Sequence, residues 1–410
     1  MLGRAARRAV LGRRCSGTRT ASTSTADLKP TLVHDEHVAA GGNMVDYAGF
    51  RMPLLYKGDS PFIAGAASIK DSAVWTRTNA SMFDVGHMCS LRWTGKDAID
   101  FLESVTVADI HGLGMNQSTL SVIPNAEGGV IDDTMITKCP DHIYQVINAG
   151  CGDKDLAHFD EQLGKFGGDV NLDVAWETDR GLFALQGPKA HLVMQQCVGG
   201  ELDLSTVLFG GAFTASVAGV PVFVTRCGYT GEDGFEINCP KDAATLVWQH
   251  LLTFDEVRLA GLGARDMLRM EAGLCLYGFE LDATTTPAEA ALSWTVGAAR
   301  RADGAAPFVG SDVILAQLKD RSLIKEMRCG MMTEGPPARA GAAITTVDGE
   351  PVGKVTSGCS SPCLGSNISM GYVQKPHNKK GTDLQVVVRG KSYPAKVTGM
   401  PFVPTSYFKG

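Results

Sequence analysis

Three short apolar runs, STLSVI (118–123), VIDDTMIT (130–137) and IYQVIN (143–148), follow one another with only the turn-rich PNAEGG and KCPDH between them. Such runs, punctuated by Gly, Pro, Asn and Asp, read as an antiparallel meander. The central run carries two adjacent carboxylates, Asp132 and Asp133. Side chains alternate faces along a strand, so the two acids point in opposite directions and at least one faces protein. Carboxylates are seldom buried without a partner or a task, which makes this pair the first candidate for chemistry.

The 410 residues give room for two or three domains, and the chain changes texture once. From about residue 30 to 304 strand-like runs alternate with helical segments such as DAATLVWQHLL (242–252) and ARDMLRMEAG (264–273), the latter with Gly273 as its stop. After RADGAAPFVGSD (301–312) and one more helical segment, strands and turns take over. That pattern predicts an α+β region over 30–304 and a small all-β barrel or sandwich over 305–410. No run of 18 apolar residues occurs, so a membrane span is not expected.

Residues 1–26 hold six arginines (Arg4, Arg7, Arg8, Arg13, Arg14 and Arg19), no acid and many Ala, Ser and Thr. This is the make-up of a mitochondrial transit peptide; a basic nucleic-acid-binding arm is the alternative. Without those arginines the formal net charge moves from −6 to −12, a poor balance for binding nucleic acid. The 11 cysteines are scattered through a long chain and read as reduced thiols. Cys359 and Cys363 lack the spacing and nearby histidines of a zinc site, so no metal is expected.

AGLGARD (260–266) opens like a dinucleotide fingerprint, but its third glycine is missing and Arg265 and Asp266 stand where a pyrophosphate would approach. What remains is an arginine at a helix start, poorly placed for the helix dipole, either solvated or held to meet an acceptor. TRCGYTGEDGFEIN (225–238) reads as strand, loop, strand with Asp233-Gly234 as the hairpin dipeptide. Glu236, two residues past that turn, is either an outward-facing glutamate or a ligand. In FDVGHM (83–88), Asp84 and His87 suggest a triad with Ser81 or Ser90, but no nucleophile elbow is present, and a hydrogen-bonded structural histidine is the better reading. The aromatic ending PFVPTSYF, with Tyr407, predicts a docked tail.

GGNMVDYAGF, FDVGHM, GGVIDD, RCGYTGEDGFEI, GLGARD, RMEAGLCLYG, TTPAEAALSW, TSGCSSP and MPFVPTSY, in that order, resemble the tetrahydrofolate-dependent aminomethyltransferases of the glycine-cleavage T-protein family. The resemblance runs from about residue 31 to 408. It implies two interleaved α+β folate-binding subdomains and a C-terminal β-barrel in a cloverleaf, in the mitochondrial matrix. It implies release of ammonia from the aminomethyl-lipoyl arm of the H protein and transfer of the one-carbon unit to tetrahydrofolate as 5,10-methylenetetrahydrofolate. In that family's motif the second aspartate lies beside the reactive folate nitrogens, which assigns Asp133 as the catalytic group and leaves Asp132 structural. Glu236, Arg265 and Tyr407 match folate-contacting positions; Asn148 and Tyr229 align near the same pocket and Met88 with its wall.

Two positions depart from the family pattern: Phe50 stands for the usual tryptophan and Gly86 for the usual serine. A folate-dependent demethylase on another donor and a folate-binding iron-sulfur maturation factor are the competing readings. The latter class shows a KGCYxGQE-like motif where this chain has RCGYTGEDG.

Overall fold

The computed structural model describes residues 28–175, 179–200 and 202–410; the transit-peptide reading of residues 1–26 lies outside them. The predicted meander is present: Gln117–Pro124, Val130–Lys138 and Ile143–Ile147 pair antiparallel, and Cys89–Thr94 and Asn171–Ala175 complete a five-stranded sheet. This sheet is threaded through a second one. Ala80–Asp84 belongs to a six-stranded sheet whose other strands, Arg180–Gln186 through Val257–Leu259, come only after the five-stranded sheet is finished. That excursion is what interleaves the two α+β units.

Each sheet has one face covered by helices. Trp93, Phe101 and Phe159 close the core of the five-stranded unit, where Ala98–Val105 and Gly152–Phe166 pack. Phe183, Phe235 and Trp248 do the same for the six-stranded unit under Ala190–Val198 and Ala244–Leu251. The other faces meet one another through Val146, Leu182 and Ala184, with Met88, Met135 and Tyr144 at the edge of the cluster.

Into the same cluster the helix Leu262–Glu271 inserts Ala264 and Leu268. Its two leading glycines have a steric explanation. A Cβ on Gly261 would stand 2.5 Å from the Leu54 carbonyl oxygen, and one on Gly263 would stand 2.5 Å from Ile69 Cδ1. They let the helix start press against the Phe50–Tyr56 strand rather than cradle a phosphate. At the other end Gly273 takes φ of 69°, the left-handed stop expected from the sequence.

Glu326–Thr333, Ala343–Thr345, Pro351–Ser361, Ser366–Gln374, Asp383–Val388 and Lys391–Thr398 close a six-stranded antiparallel barrel around Met331, Ile344, Val355 and Val386. The preceding helix, Ser311–Lys319, packs Ile314 against Val107, Val122 and Val130 of the five-stranded unit. The barrel docks on the far end of Leu262–Glu271 through Met270, Cys359, Ile368 and Met370. Residues 400–408 lie back on the six-stranded unit: Ser406 N–H donates to Gly231 O at 2.8 Å, and Phe408 O accepts from Phe209 N–H at 2.8 Å. The tail is docked, as its aromatic ending predicted.

One local expectation fails. Asp233-Gly234 is no two-residue hairpin turn; Val220–Thr225 and Gly234–Pro240 are joined by a long loop, residues 226–233. Asp233 is committed elsewhere, gripping Arg226 through Nε at 2.9 Å and Nη2 at 2.6 Å. Gly234 already lies in the strand, where a Cβ would stand 2.4 Å from Gln186 Nε2. No disulfide joins any of the ten cysteines among the described residues, and no described helix is long and apolar enough to cross a membrane.

Candidate active site

The pleat separates the two aspartates as the alternation requires: Asp132 is fully buried and Asp133 half-buried on the opposite face of Val130–Lys138. The strand starts abruptly because a Cβ on Gly129 would stand 1.9 Å from the Ala283 carbonyl oxygen, so only glycine lets the 282–285 loop close over it. Asn148, just beyond the end of the neighbouring strand, joins the acids. Its backbone N–H and its Nδ2 each donate to Asp132 at 2.9 Å, and Nδ2 also reaches Asp133 Oδ1 at 3.1 Å. Burial, and then the negative charge of Asp132, push the Asp133 carboxyl up to about 7; Asn148 and Lys154 oppose the shift.

Across from the strand stands Tyr229, whose hydroxyl donates to Cys275 O. The Arg265 guanidinium lies 4.9 Å from the Tyr229 ring centroid. Arg265 Nη1 is buried and has no hydrogen-bond acceptor. The helix-start arginine is thus buried against an aromatic ring with one donor unused. Tyr229 feels both Asp133 and Arg265, and so does Tyr47 of GGNMVDYAGF, a residue assigned no role from the sequence.

Glu236 sits mid-sheet, paired in register with Ala184 and Thr225. Burial raises its pKa, while Arg265 and Cys227 draw it back down. It lines a cavity between the two sheets together with Met135, Tyr144, Phe223 and Asn238. Tyr144 and Asn238 are further residues the sequence did not mark; the Asn238 Nδ2 donates to Tyr144 Oη at 3.0 Å. Their signal is alternation alone, which puts a polar tip on the face of each strand that turns toward the other sheet.

Asp133, Asn148, Tyr229, Arg265 and Glu236 are therefore one electrostatic neighbourhood. Met88 lies in the wall where the two sheets meet. Tyr407 stands farther out, its ring stacked on Phe209 at 4.2 Å and its pKa raised by burial, with Arg77 and Glu232 as its charged neighbours. Next to it, Ser406 ties the tail to the 226–233 loop that carries Tyr229.

The Asp84–His87 reading needs correction. Asp84 pairs with His37, 2.9 Å away, and His37 Nδ1 bonds Tyr56 Oη at 2.9 Å. His87 is buried between Tyr47 and Phe50, its Nδ1 has no partner, and burial pushes its pKa down to about 4. It is a packed neutral ring, not a hydrogen-bonded one. Ser81 bonds Thr76 and Ser90 bonds Tyr144, so neither forms a triad with it. Among the described residues no group of three or more His, Cys, Asp and Glu is arranged to hold a metal ion.

Residues 33–300 match the GCVT N-terminal domain, and residues 326–404 match the glycine cleavage T-protein C-terminal barrel domain. The chain is 48% identical over 406 residues to the mitochondrial aminomethyltransferase of Solanum tuberosum, covering 98% of this chain and 94% of that one. It is 45% identical over 410 residues to that of Gallus gallus, covering 99% of both. The crystal structure of the glycine cleavage system aminomethyltransferase T from Bartonella henselae superposes with a TM-score of 0.84 at 34% identity, covering 93% of this chain and 100% of that chain.

Proposed function

The chain belongs to the glycine cleavage T-protein family and is a mitochondrial aminomethyltransferase of the glycine cleavage system; from that premise we propose that Asp133 is its catalytic carboxylate and that tetrahydrofolate binds between the two sheets. The observation that carries this reading is a convergence. Within electrostatic reach of Tyr229 are a carboxyl whose pKa is raised to about 7, Asp133, and a guanidinium donor without an acceptor, Arg265. A folate brings groups that complement both.

Glu236 suits the pterin end, because a carboxylate accepts side-by-side N–H donors as a two-pronged pair. Arg265 suits an anionic or carbonyl acceptor with its spare Nη1. Tyr229 supplies an aromatic wall, Met88 an adaptable apolar one, and Tyr407 closes the outer side. The H protein presents the aminomethyl group on its lipoyl arm as a thioether.

Expelling ammonia from that arm develops positive charge, and the fixed Asp133 carboxylate stabilises it in a site with little water. With a pKa raised to about 7 the same group takes or returns a proton near neutral pH. Asn148 keeps its Oδ1 in place, so the carboxylate is aimed before substrate arrives. The fold supplies the second charge, on Asp132, that keeps Asp133 from ionising too early.

The test uses residues 27–410 and an H protein loaded with the aminomethyl group. Ammonia release and 5,10-methylenetetrahydrofolate formation are followed with and without tetrahydrofolate. Matched, folate-dependent formation of both products is expected. A folded protein that yields neither product would return the demethylase and maturation-factor readings to the front.

A further inference from the structure

Asp155, in the first turn of Gly152–Phe166, is completely buried, and neither of its oxygens meets an N–H or hydroxyl donor. The group it contacts is the carboxylate of Asp132. Two facing carboxylates repel in a buried site, whereas one proton between them makes a short, strong O–H···O⁻ bond. The surrounding donors decide which oxygen pair keeps that proton. Asp132 already accepts from Asn148 N–H and Nδ2, both at 2.9 Å. Asp155, whose oxygens accept from no donor, is the acid that keeps the proton.

We propose that Asp155 is a positioning residue: as a neutral carboxylic acid it donates to Asp132, which holds Asn148, whose amide in turn fixes Asp133. The proposal rests on the assignment of Asp133 as the catalytic group. Burial first, and then the charge of Asp132, hold the Asp155 pKa far above the ordinary carboxylate range. The charges facing the chain of contacts are few: Asp132 and Asp133 from the strand, Lys154 and Cys151 from the helix start, and Tyr277 beside Lys154, whose Nζ lies 3.5 Å from that ring centroid. Lys154 opposes the shift without removing it, because its ammonium also donates to Ile131 O and lies exposed at the rim.

The contact can be broken in two chemically distinct ways. Asp155→Asn keeps a donor toward Asp132 and no charge, so kcat, KM and the pH profile stay close to wild type. Asp155→Ala removes the donor; kcat falls about ten- to a hundredfold with KM for tetrahydrofolate little changed. Its acid limb moves to higher pH, because Asp132 then presents more unshared negative charge to Asp133. Equal damage from both variants would overturn the proposal, since it would mean that Asp155 acts as an ionised acceptor.

A second readout does not depend on activity and survives an Asp155→Ala variant that fails to fold. Infrared difference spectra of carbon-13-aspartate-labelled wild type minus Asp155→Asn, taken at about pH 9, contain the carbonyl stretch of a protonated acid. Its absence refutes the neutral dyad whatever Asp133 does. Its presence, with Asp155→Ala kinetically silent, refutes the positioning role alone. A silent Asp133→Asn variant would count against the catalytic assignment instead.

Discussion

One turn of the helix Leu262–Glu271 separates Arg265 from Arg269, and the two guanidiniums live under opposite conditions. Arg269 lies at the helix C-terminal end, where the dipole favours a cation, and every nitrogen is used: Nε on Asp266 at 2.8 Å, Nη1 on Glu280 at 2.8 Å, Nη2 on Ser357 Oγ at 2.9 Å. Arg265 lies in the first turn, where the dipole opposes it, and its Nη1 is buried without a partner. Other charges at the seam to the barrel are paired in the same manner. Glu271 accepts from Arg77 at 2.9 Å and from Ser361 Oγ at 2.5 Å, and Arg328 Nη1 reaches Gly273 O at 2.8 Å. Around the Asp133 site, by contrast, His87 Nδ1, Arg265 Nη1 and the Asp155 oxygens have no hydrogen-bond partner. Buried charge that is fully paired holds a structure together; buried charge left unpaired on a saturated scaffold is set for a ligand or a proton.

The contrast breaks most violently at the seam. Glu280 takes Arg269 on Oε2, Thr356 on Oε1 at 2.6 Å and the Leu276 N–H at 3.0 Å. Glu280→Ala strands Arg269 in the interior, and a loss of about 3–5 kcal/mol is expected in urea unfolding. A loss under about 1 kcal/mol would mean that the seam charges are solvated in solution and the comparison is wrong.

Asp133→Asn is the mirror experiment: turnover falls roughly 10²–10³-fold while the fold is kept. The native pKa of Asp133 is raised above its unfolded value, so the stability it contributes is present at acid pH and lost as pH rises through about 7. Above that pH the amide removes an unfavourable ionisation, and the melting temperature should not drop. Near-normal turnover in this variant would sink the catalytic assignment.

Arg265→Leu and Glu236→Ala come next, each weakening tetrahydrofolate binding by about 1–3 kcal/mol with unfolding unchanged. Titration of folate against intrinsic fluorescence is enough to see it. Unaltered affinity in Glu236→Ala would remove that residue from the site. Smaller still is a pH effect: kcat of the wild type rises with pH through an acid limb near 7 as Asp133 ionises, and His87, held down to about 4, adds no second limb in that range. A limb that survives Asp133→Asn would belong to another group.

What could be read in advance divides along the same line. The aspartate pair was legible as a candidate because strand alternation forces one of two neighbouring acids inward, and Arg265 as an open question because a cation at a helix start is electrostatically out of place; the choice of Asp133 and the folate role of Arg265 came from the family resemblance. The saturated partners were not legible. His37 lies 47 residues from Asp84, Glu271 lies 194 from Arg77, and spacing carries no record of either meeting. Asp155 left a faint trace: it precedes Phe159 by four residues and so shares its buried helix face. In GDKDLAHF it passes for an ordinary first-turn acid stabilised by the helix dipole. The 226–233 loop was misread because Asp-Gly is a strong hairpin signal only when the aspartate side chain is not engaged, and Arg226 engages it.

The smallest effect belongs at Gly86, where the wall of the pocket imitates the seam. Asp84 is buried and fully used, holding His37 through Oδ2 and the Gly86 N–H through Oδ1 at 2.8 Å. A Cβ at residue 86 would stand 3.0 Å from that same Oδ1, a tight contact with backbone φ outside the left-handed region. Gly86→Ser restores the hydroxyl usual in the family, and its oxygen can donate to Asp84 once the carboxylate gives by a few tenths of an ångström. Such a change, at a site already paired, should alter stability by no more than about 0.5 kcal/mol and folate affinity by less than threefold or so. If instead Gly86→Ser tightens folate binding strongly, the hydroxyl acts on the ligand and the wall near Met88 belongs with Arg265 among the groups set for a partner, not with the paired charges of the scaffold.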